Sequence, residues 1–372
     1  MMTFRELGVR KDYVKGLYEL GIKRPTQVQE ESIPYLLGNN SDFIGLAQTG
    51  TGKTAAYEIP LLQKIDTSKD TIQALILSPT RELVQQIKKQ LFKFTKYADD
   101  KIFLEAVYGG EKIERQIKNL KRTTHIVIAT PGRLIDLIER GSVNLKDIGT
   151  LILDEADEML SMGFKEELNR VLKYTSGKRK TWLFSATMPP EIRNIVKKYM
   201  TASTKQIEVN KNLYVNKNIT HQFIETTIPE KVKLIVRFLE KKSFSRGIIF
   251  SRTKAGAQKL AKELREEGFS VEALEGNMQQ KERDKVMRSF KNNNLQVLVS
   301  TDVAARGIDV KNLSYVIHHQ LPEKNEYYTH RSGRTARAGE MGMSLILVLK
   351  NEKERLIELE RSLKIKITQI SI

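Results

Sequence analysis

The segment 47–54, Ala-Gln-Thr-Gly-Thr-Gly-Lys-Thr, has the residue types and spacing of a loop that binds phosphate groups. Its glycines let the backbone curl so that several N–H groups point at one anion, and a following helix N-terminus adds partial positive charge. Lys53 would reach the β- and γ-phosphates of a nucleotide, and the hydroxyl group of Thr54 would bind Mg²⁺. An apolar stretch, 43–46, precedes the loop and helix-forming residues follow it, which disfavours a chance turn rich in Gly and Thr. Ala47 departs from the strict pattern, which has glycine at that position.

Three carboxylates, Asp154, Glu155 and Asp157, come directly after another apolar stretch, 150–153. An acid at such a place can hold Mg²⁺, usually through water, and its neighbour can orient and deprotonate an attacking water molecule. Taken alone, these acids would be solvated turn residues or helix-capping residues. The phosphate-binding pattern upstream favours the metal and general-base interpretation.

Three arginines, Arg331, Arg334 and Arg337, recur at a spacing of three among small residues. Such a cationic edge can approach a phosphate group closely, because the guanidinium fork binds anions through two hydrogen bonds and stays charged. An arginine supplied from a second domain would make hydrolysis depend on domain closure. The alternative is a surface helix held by salt bridges.

Composition sets the class of protein. The 372 residues suggest about two domains, and no apolar run is long enough to span a bilayer. The absence of cysteine excludes disulfides and thiolate metal sites and fits a reducing, cytoplasmic location. A net charge of +18 predicts a polyanionic partner. Nucleic acid is favoured over an anionic membrane, because no basic amphipathic helix stands out as an anchor.

Short apolar stretches alternate with helical ones along the whole chain, which predicts α/β architecture with parallel sheets covered on both faces. The predicted strands are 43–46, 74–77, 102–107, 125–129, 150–153, 181–184, 222–224, 247–250, 271–274, 297–300, 315–317 and 345–348. Polar sequence at 210–218 predicts a linker between domains 1–209 and 219–372. Ligands gather at the C-terminal ends of strands in such sheets, where the glycines, acids and hydroxyl groups fall.

Together these segments resemble the DEAD-box family of ATP-dependent RNA helicases, in superfamily 2 and of bacterial type. The likeness extends from Phe4 to about Leu363, with the motifs in family order. It implies two tandem RecA-like domains, ATP and Mg²⁺ as cofactors, and an N-terminal Q motif at 2–30. From pattern alone, 21–29 is an ordinary helix–turn–helix connection, with Gly21 as the helix C-cap.

The resemblance also implies roles for individual residues. Phe4 would stack on the adenine ring, Gln29 would read its edge, and Glu155 would be the base. Arg334 and Arg337 are both candidates for the arginine finger, and Ser332 and Ala336 depart from the commonest form of that motif. The nucleotide-binding residues would be Phe4, Lys23, Gln29, Ala47, Gln48, Thr49, Gly50, Thr51, Gly52, Lys53, Thr54, Gly307 and Asp309, and the catalytic ones Lys53, Asp154, Glu155, Arg334 and Arg337.

RNA contacts and coupling are implied in the same way. The residues expected to touch RNA are Pro79, Thr80, Arg81, Gly109, Gly110, Thr130, Pro131, Gly132, Arg133, Arg252, Gln280, Arg283, Thr301 and Asp302. Those expected to couple hydrolysis to RNA are Asp157, Ser185, Ala186, Thr187, His330 and Arg331. Contacts to phosphates and 2′-hydroxyl groups would give little sequence preference.

We therefore expect a monomer that hydrolyses ATP when RNA binds and separates short duplexes locally. Three alternatives are a DNA helicase or translocase, a non-enzymatic clamp on RNA, and a small-molecule kinase. The Gln29 segment and the form of the 154–157 motif argue against the first. The intact catalytic positions argue against the second, and the second domain argues against the third. The RNA target stays open among ribosome assembly, mRNA decay and cold-stress remodelling, with ribonucleoprotein, ribosome-assembly or degradosome partners.

Overall fold

The computed structural model divides the chain into two compact units, Met1–Asn210 (unit 1) and Lys211–Ile372 (unit 2). The structure describes residues 2–48, 50–175, 177, 179–209, 216–242, 245–305, 310, 313–336 and 340–371. Most of the predicted linker, 210–218, therefore lies outside the described residues.

Unit 1 is a seven-stranded parallel sheet flanked by helices. Its strands are β1 Phe43–Leu46, β2 Ala74–Leu77, β3 Leu104–Val107, β4 Ile126–Ala129, β5 Thr150–Leu153, β6 Lys180–Ser185 and β7 Lys205–Glu208. Its helices are α1 Lys11–Glu19, α2 Gln27–Gly38, α3 Lys53–Lys64, α4 Arg81–Phe94, α5 Ile113–Leu120, α6 Pro131–Glu139, α7 Ala156–Ser161, α8 Lys165–Tyr174 and α9 Pro190–Tyr199, with a 3₁₀ turn at Thr95–Tyr97. The strand order is β3-β4-β2-β5-β6-β1-β7.

Unit 2 is a second seven-stranded parallel sheet. Its strands are β8 Ile219–Thr226, β9 Gly247–Phe250, β10 Val271–Leu274, β11 Val297–Ser300, β12 Tyr315–His318, β13 Gly342–Leu349 and β14 Thr368–Gln369. Its helices are α10 Lys231–Lys241, α11 Lys254–Glu266, α12 Gln280–Lys291, α13 Asp302–Ala305, α14 Asn325–Ser332 and α15 Lys353–Leu363, with 3₁₀ turns at Ile228–Glu230 and Lys350–Glu352. The strand order is β10-β11-β9-β12-β13-β8-β14.

The predicted α/β class with two parallel sheets is confirmed. The inner strands are buried on both faces, because helices cover each sheet from two sides, and this explains their unbroken apolar sequences. Two strands, β7 and β14, escaped prediction because each is short and mostly exposed at a sheet edge. No helix in the described part of the chain combines the length and the apolar character that crossing a bilayer demands.

All strands of a parallel sheet end at the same edge. In unit 1 the predicted motifs follow neighbouring strands along this edge. The segments after β3, β4 and β2 contain the predicted RNA contacts, and these three strands are adjacent. The acids follow β5, the Ser-Ala-Thr segment follows β6, and the phosphate-binding loop follows β1. The strand order therefore brings segments more than 100 residues apart to one edge.

Candidate active site

The loop between β1 and α3 has the backbone of a phosphate cradle. Gly50 and Gly52 adopt φ values of +84° and +95°, in the left-handed region that side chains disfavour, and Gly52 caps the start of α3. The hydroxyl group of Thr51 donates to the carbonyl oxygen of Gln48 at 2.7 Å, which closes the turn. The two glycines and the hydroxyl group of Thr51 thus stabilise the turn of this loop through contacts within the loop itself. Thr49 lies outside the described residues.

Lys53, the first residue of α3, is buried, and its Nζ atom has no hydrogen-bond partner among the described residues. A buried, unpaired ammonium group is costly, and an anion at this helix N-terminus would remove that cost. Thr54 follows it, partly buried. This arrangement fits the phosphate groups of a nucleotide.

Gln29 joins the α2 N-terminus to the phosphate-binding loop. Its Nε2 atom donates to the carbonyl oxygen of Gly52 at 3.0 Å, and its Oε1 atom accepts from the backbone N–H of Thr26 at 3.0 Å. The fit is close: a Cβ atom at Gly52 would lie 2.4 Å from Gln29 Nε2. An amide group carries two donors and an oxygen with two lone pairs, so Gln29 keeps capacity for another partner.

Asp154 is buried at the end of β5, where it accepts a hydrogen bond of 3.0 Å from the hydroxyl group of Tyr57. Burial, followed by the charge of Glu155, raises the pKa of Asp154 to about 7, while the ammonium group of Lys53 and the bond from Tyr57 oppose that rise. A divalent cation would favour the ionised form of this carboxyl group. Asp154 is therefore suited to a metal ion that arrives with a nucleotide.

Glu155 occupies an unusual backbone conformation for a residue with a side chain. Its φ and ψ angles are 50° and 51°, in the left-handed region, at the sharp turn between β5 and α7. Such a conformation persists only where surrounding structure imposes it, and it is frequent at functional sites. The turn directs consecutive acids differently, so Asp154 is buried whereas Glu155 is partly exposed.

Two buried residues of α3 were missed by the sequence analysis. Tyr57 donates to Asp154 and packs against Phe184, with ring centroids 5.2 Å apart. Both carboxyl oxygens of Glu58 lack partners among the described residues, and burial, followed by the charge of Asp154, raises the pKa of Glu58 well above its usual range. One signal existed: Tyr57 comes four residues after Lys53 and hence shares its helix face.

The acids after β5 are linked to the segment after β6. Asp157 accepts hydrogen bonds from the backbone N–H and the hydroxyl group of Thr187, at 2.9 and 2.8 Å, through one carboxylate oxygen. The backbone N–H of Asp157 donates to the hydroxyl group of Ser185 at 3.3 Å. Ala186 lies between these two partners, and the carbonyl oxygen of Ser185 accepts from the N–H of Ala47 at 3.0 Å. The structure thus connects three predicted motifs physically.

The predicted RNA contacts of unit 1 form the neighbouring part of the same edge. Thr80 caps α4 by accepting from the N–H of Leu83 at 3.3 Å, Pro79 beside it is buried, and Arg81 pairs with Glu82. Arg133 donates to the side chain of Gln116 at 2.9 Å and is largely covered. The remaining members of this set are Gly109 and Gly110, exposed in the turn after β3, and Thr130, Pro131 and Gly132 at the start of α6.

In unit 2, Arg331 is held by a bidentate salt bridge. Its Nε and Nη2 atoms donate to the two carboxylate oxygens of Asp302 at 2.6 and 2.7 Å, and its guanidinium lies 5.3 Å from the ring centre of Phe250. Beneath it, His318 bonds to the hydroxyl group of Ser344 at 3.0 Å, and burial, followed by the charge of Arg331, lowers the pKa of His318 well below its usual range. The guanidinium group of Arg331 therefore has hydrogen-bond partners within unit 2.

The other predicted residues of unit 2 have varied surroundings. Arg252 is half exposed and pairs with Glu323 at 3.4 Å, whereas Thr301 is buried beside Asp302. Gln280 opens α12 and donates to Asp284. Arg334 is buried, with Nε donating to the carbonyl oxygen of His330 at 3.3 Å. Gly307, Asp309 and Arg337 lie outside the described residues.

Two predicted site residues are almost fully buried in this structure. Phe4 exposes 2% of its surface and packs in the core of unit 1, so in this structure its ring offers no face to an adenine. Arg283 exposes 5%, and its Nη2 atom donates to the carbonyl oxygen of Ala304 at 2.7 Å, inside unit 2. Both belong to the packing that supports motif segments. Lys23, by contrast, is exposed in the turn before α2.

Comparison with known proteins identifies the family. The family model of DEAD/DEAH box helicases matches residues 26–195, and that of the helicase conserved C-terminal domain matches 230–339. The chain is 40% identical over 370 residues to the DEAD-box ATP-dependent RNA helicase CshA of Bacillus cereus, covering all of this chain and 70% of that protein.

Solved structures agree with this result. The chain is similar to Saccharomyces cerevisiae Dbp5 bound to RNA and ADP BeF₃, with a TM-score of 0.91 and 30% identity over all of this chain and 96% of the other. It is also similar to a DEAD box protein from Methanococcus jannaschii, with a TM-score of 0.57 and 37% identity over 100% and 99% of the two chains. The chain accordingly belongs to the DEAD-box family of ATP-dependent RNA helicases, which are RNA-stimulated ATPases.

Proposed function

We propose that the pocket at the start of α3 binds the phosphates of ATP and that the residues around it carry out hydrolysis. The observation that carries this proposal is the buried Nζ atom of Lys53, which has no partner among the described residues and lies where the loop glycines turn the backbone. A phosphate group would pair with this ammonium group and with the N–H groups at the α3 N-terminus. Gln29, bonded to Gly52, would transmit the identity of the base to the loop.

The residues at the pocket fit a magnesium ion. Thr54 would bind it directly and Asp154 through water, and the ion would neutralise charge on the β- and γ-phosphates. The fit rests on the donor atoms, because Mg²⁺ prefers oxygen ligands and the carboxyl group of Asp154 lies buried at the end of β5. Tyr57 would keep Asp154 oriented through its 3.0 Å hydrogen bond.

Glu155 is the proposed general base. Its left-handed turn places it next to Asp154 at the strand end, partly exposed, where a water molecule can reach it. A positioned base of this kind contributes about 10²–10⁴-fold to a rate. Developing charge on the phosphates would be stabilised by Lys53 and by an arginine finger, for which Arg334 and Arg337 both remain candidates.

RNA would bind along the edge formed by the segments after β3, β4 and β2, and at the predicted residues of unit 2. The support is the adjacency of these strands and the similarity to a helicase whose structure holds RNA and ADP BeF₃. Glycines and helix N-termini along this edge offer backbone N–H groups to phosphates, which carry no sequence information. The bonds from Asp157 to Ser185 and Thr187 would couple this edge to the ATP pocket.

The experiment compares ATP hydrolysis and duplex unwinding by the wild type and by Glu155→Gln, with and without single-stranded RNA. We expect RNA to stimulate the wild type, and Glu155→Gln to lose about 10²–10⁴-fold in turnover while it still binds ATP. The matched control is Glu166→Gln, an exposed acid in the first turn of α8, which should behave as the wild type.

The same assay separates the alternatives. Stimulation by DNA equal to that by RNA would indicate a DNA translocase, and tight RNA binding without phosphate release would indicate a clamp. Near-normal turnover in Glu155→Gln would show that another residue is the base. A monomeric state, a cytoplasmic location and partners in ribosome assembly or RNA degradation stay predictions.

A further inference from the structure

A second surface of unit 1 has features suited to nucleic acid and contains none of the predicted site residues. It is a groove of about 720 Å³ lined by Arg5, Lys11, Val14, Lys15, Tyr18 and Tyr97, which we call the basic–aromatic groove. Helix α1 forms one wall, and the 3₁₀ turn at Thr95–Tyr97 forms the other.

The charges of the groove are all of one sign. Lys11, Lys15 and Tyr18 have the spacing i, i+4 and i+7, so they form one stripe along α1. No carboxylate of the described residues forms a salt bridge with either lysine or with Arg5. The nearby acid Glu19 is neutralised, because it accepts from the ammonium group of Lys96 at 2.5 Å and from the hydroxyl group of Tyr97 at 2.8 Å.

Two tyrosine rings are held at the surface of the groove. Tyr18 and Tyr97 expose 50% and 42% of their surfaces, which is high for aromatic side chains. The bond from Tyr97 to Glu19 fixes the second ring in place, so part of the entropy cost of stacking a base on it is already met. Exposed rings beside cations are the arrangement that binds single-stranded nucleic acid without sequence preference.

The groove lies away from the predicted RNA contacts of unit 1, although five of its six lining residues fall within the predicted Q motif, 2–30. Helix α4 begins at the predicted RNA contact Arg81 and ends at Phe94, about 20 Å further along its axis. Helix α1 packs on that far end so closely that a Cβ atom at Gly16 would lie 2.9 Å from the carbonyl oxygen of Phe94. The groove therefore belongs to the same unit as the predicted RNA contact Arg81 but lies at the other end of α4.

We propose that the basic–aromatic groove binds a single-stranded segment of RNA that continues beyond the predicted RNA contacts of unit 1. The phosphates lie against Lys11, Lys15 and Arg5, and bases stack on Tyr18 and Tyr97. This proposal rests on the proposed function only in that the polyanion is RNA. An acidic peptide of a partner protein could use the cations, but it would not need the pair of exposed rings.

The test measures RNA affinity as a function of length in the full chain without nucleotide. Labelled oligouridylates of about 6 and about 16 nucleotides are compared by fluorescence anisotropy at several salt concentrations. We expect the long RNA to bind more tightly than the short one, and Tyr18→Ala to weaken long-RNA binding about tenfold with short-RNA binding unchanged. Lys11→Ala/Lys15→Ala should reduce the salt dependence of long-RNA binding, lowering the log–log slope by about 1.4.

The matched control is Lys173→Ala/Tyr174→Ala, which removes an exposed lysine and a tyrosine with 54% exposure from the end of α8. It should leave the length dependence intact, and Tyr18→Phe, which keeps the ring, should retain the affinity. Alanine is well tolerated in an exposed helix, so none of these variants should impair folding.

Three results would overturn the proposal: no advantage of the long RNA in the wild type, an advantage that is undiminished in Tyr18→Ala, or equal losses in the control variant. Binding of polyglutamate to the wild type, lost in Lys11→Ala/Lys15→Ala without any effect on RNA, would assign the groove to an acidic protein instead. ATP hydrolysis stimulated by the short RNA is measured in parallel, so failure of the proposed function is distinguished from failure of the groove.

Discussion

The two units have the same strand order but differ at one equivalent connection. In each sheet the first strand along the chain lies between the sixth and the seventh, and a helix that begins with a buried lysine follows it. In unit 1 that residue is Lys53, whose Nζ atom has no partner among the described residues. In unit 2 it is Lys231, whose Nζ atom donates to the carbonyl oxygens of His319 at 2.7 Å and Leu347 at 3.3 Å.

The difference shows that the shared strand order does not by itself leave the lysine without a hydrogen-bond partner. The connection in unit 2 has no glycine; Pro229 lacks an N–H group, and Glu230 adds a negative charge that the N–H and hydroxyl groups of Thr227 bind. Since Lys231 is satisfied by the ends of two strands, unit 2 has no need of an anion there. In unit 1 the Nζ atom of Lys53 has no partner among the described residues, and this distinguishes it from the structural contact that Lys231 makes.

The largest expected effect comes from removing the lysine of unit 1. Lys53→Ala should lower ATP turnover by about 10²–10³-fold, because it removes the cation that we propose to pair with the transferred phosphate. Its thermal stability without nucleotide should not fall, since an unpaired buried charge is lost. RNA-stimulated ATPase assays and thermal unfolding of the same samples check both expectations. A large loss of stability would show that Lys53 has a structural role.

The second prediction is that acid affects the two units in opposite directions. Burial lowers the pKa of His221 and of His319 to about 4. Between pH ~6.5 and 4 the unfolded chain binds protons that these two rings do not bind in the folded state. The free energy of unfolding of unit 2 therefore falls by up to ~3 kcal/mol per histidine as the pH falls. For Asp154, with a pKa of about 7, the folded state binds the extra proton between pH 7 and ~4, so this group stabilises unit 1 on acidification. Burial lowers the pKa of His125 in the same unit, which offsets part of that gain.

Urea unfolding at pH 7.5 and 5.5 tests this difference. The single tryptophan, Trp182, is buried in β6, so its fluorescence reports on unit 1, while circular dichroism reports on the helices of both units. We expect the urea midpoint measured by Trp182 fluorescence, which follows unit 1, to rise between pH 7.5 and pH 5.5. The part of the circular dichroism change that does not coincide with the fluorescence change follows unit 2, and its midpoint should fall. Midpoints that fall together would mean that other groups dominate.

A smaller effect is expected from removing the lysine of unit 2. Lys231→Met should destabilise unit 2 by ~1–3 kcal/mol, because two carbonyl oxygens lose their donor, and should leave ATP affinity unchanged. Urea unfolding and nucleotide titration measure the two quantities. Loss of ATP affinity without loss of stability would contradict the comparison.

The smallest effect concerns backbone conformation. Gly52→Ala and Gly268→Ala both place a side chain at a positive φ, +95° and +87°, at a cost of ~1–2 kcal/mol each. Only the first brings a Cβ atom against Gln29, whereas no heavy atom lies within 4 Å of the second. ATP affinity should therefore fall in Gly52→Ala alone. Equal affinities would mean that the loop tolerates displacement of Gln29.

Much of the fold could be predicted because its signals are local. Strands such as β1, β2, β5 and β9 were predicted at the bounds that the structure has, since buried parallel strands are short unbroken apolar runs. Strands β8 and β13 were predicted too short, because polar residues such as His221 and Ser344 are buried near their ends in a hydrogen-bond network. A pattern of apolar residues carries no information about such a network.

The sequence by itself determined the two α/β sheets, the phosphate-binding loop and the identities of the motif residues, because glycine conformation, strand patterns and side-chain chemistry depend on neighbours along the chain. Only the tertiary structure decided that Tyr57 bonds to Asp154 and that Phe4 and Arg283 are buried. It also decided that Lys53 has no partner within the described ranges while Lys231 has two. The physical reason is that a hydrogen-bond partner or a covering side chain comes from residues far away in sequence. Packing alone brings them together.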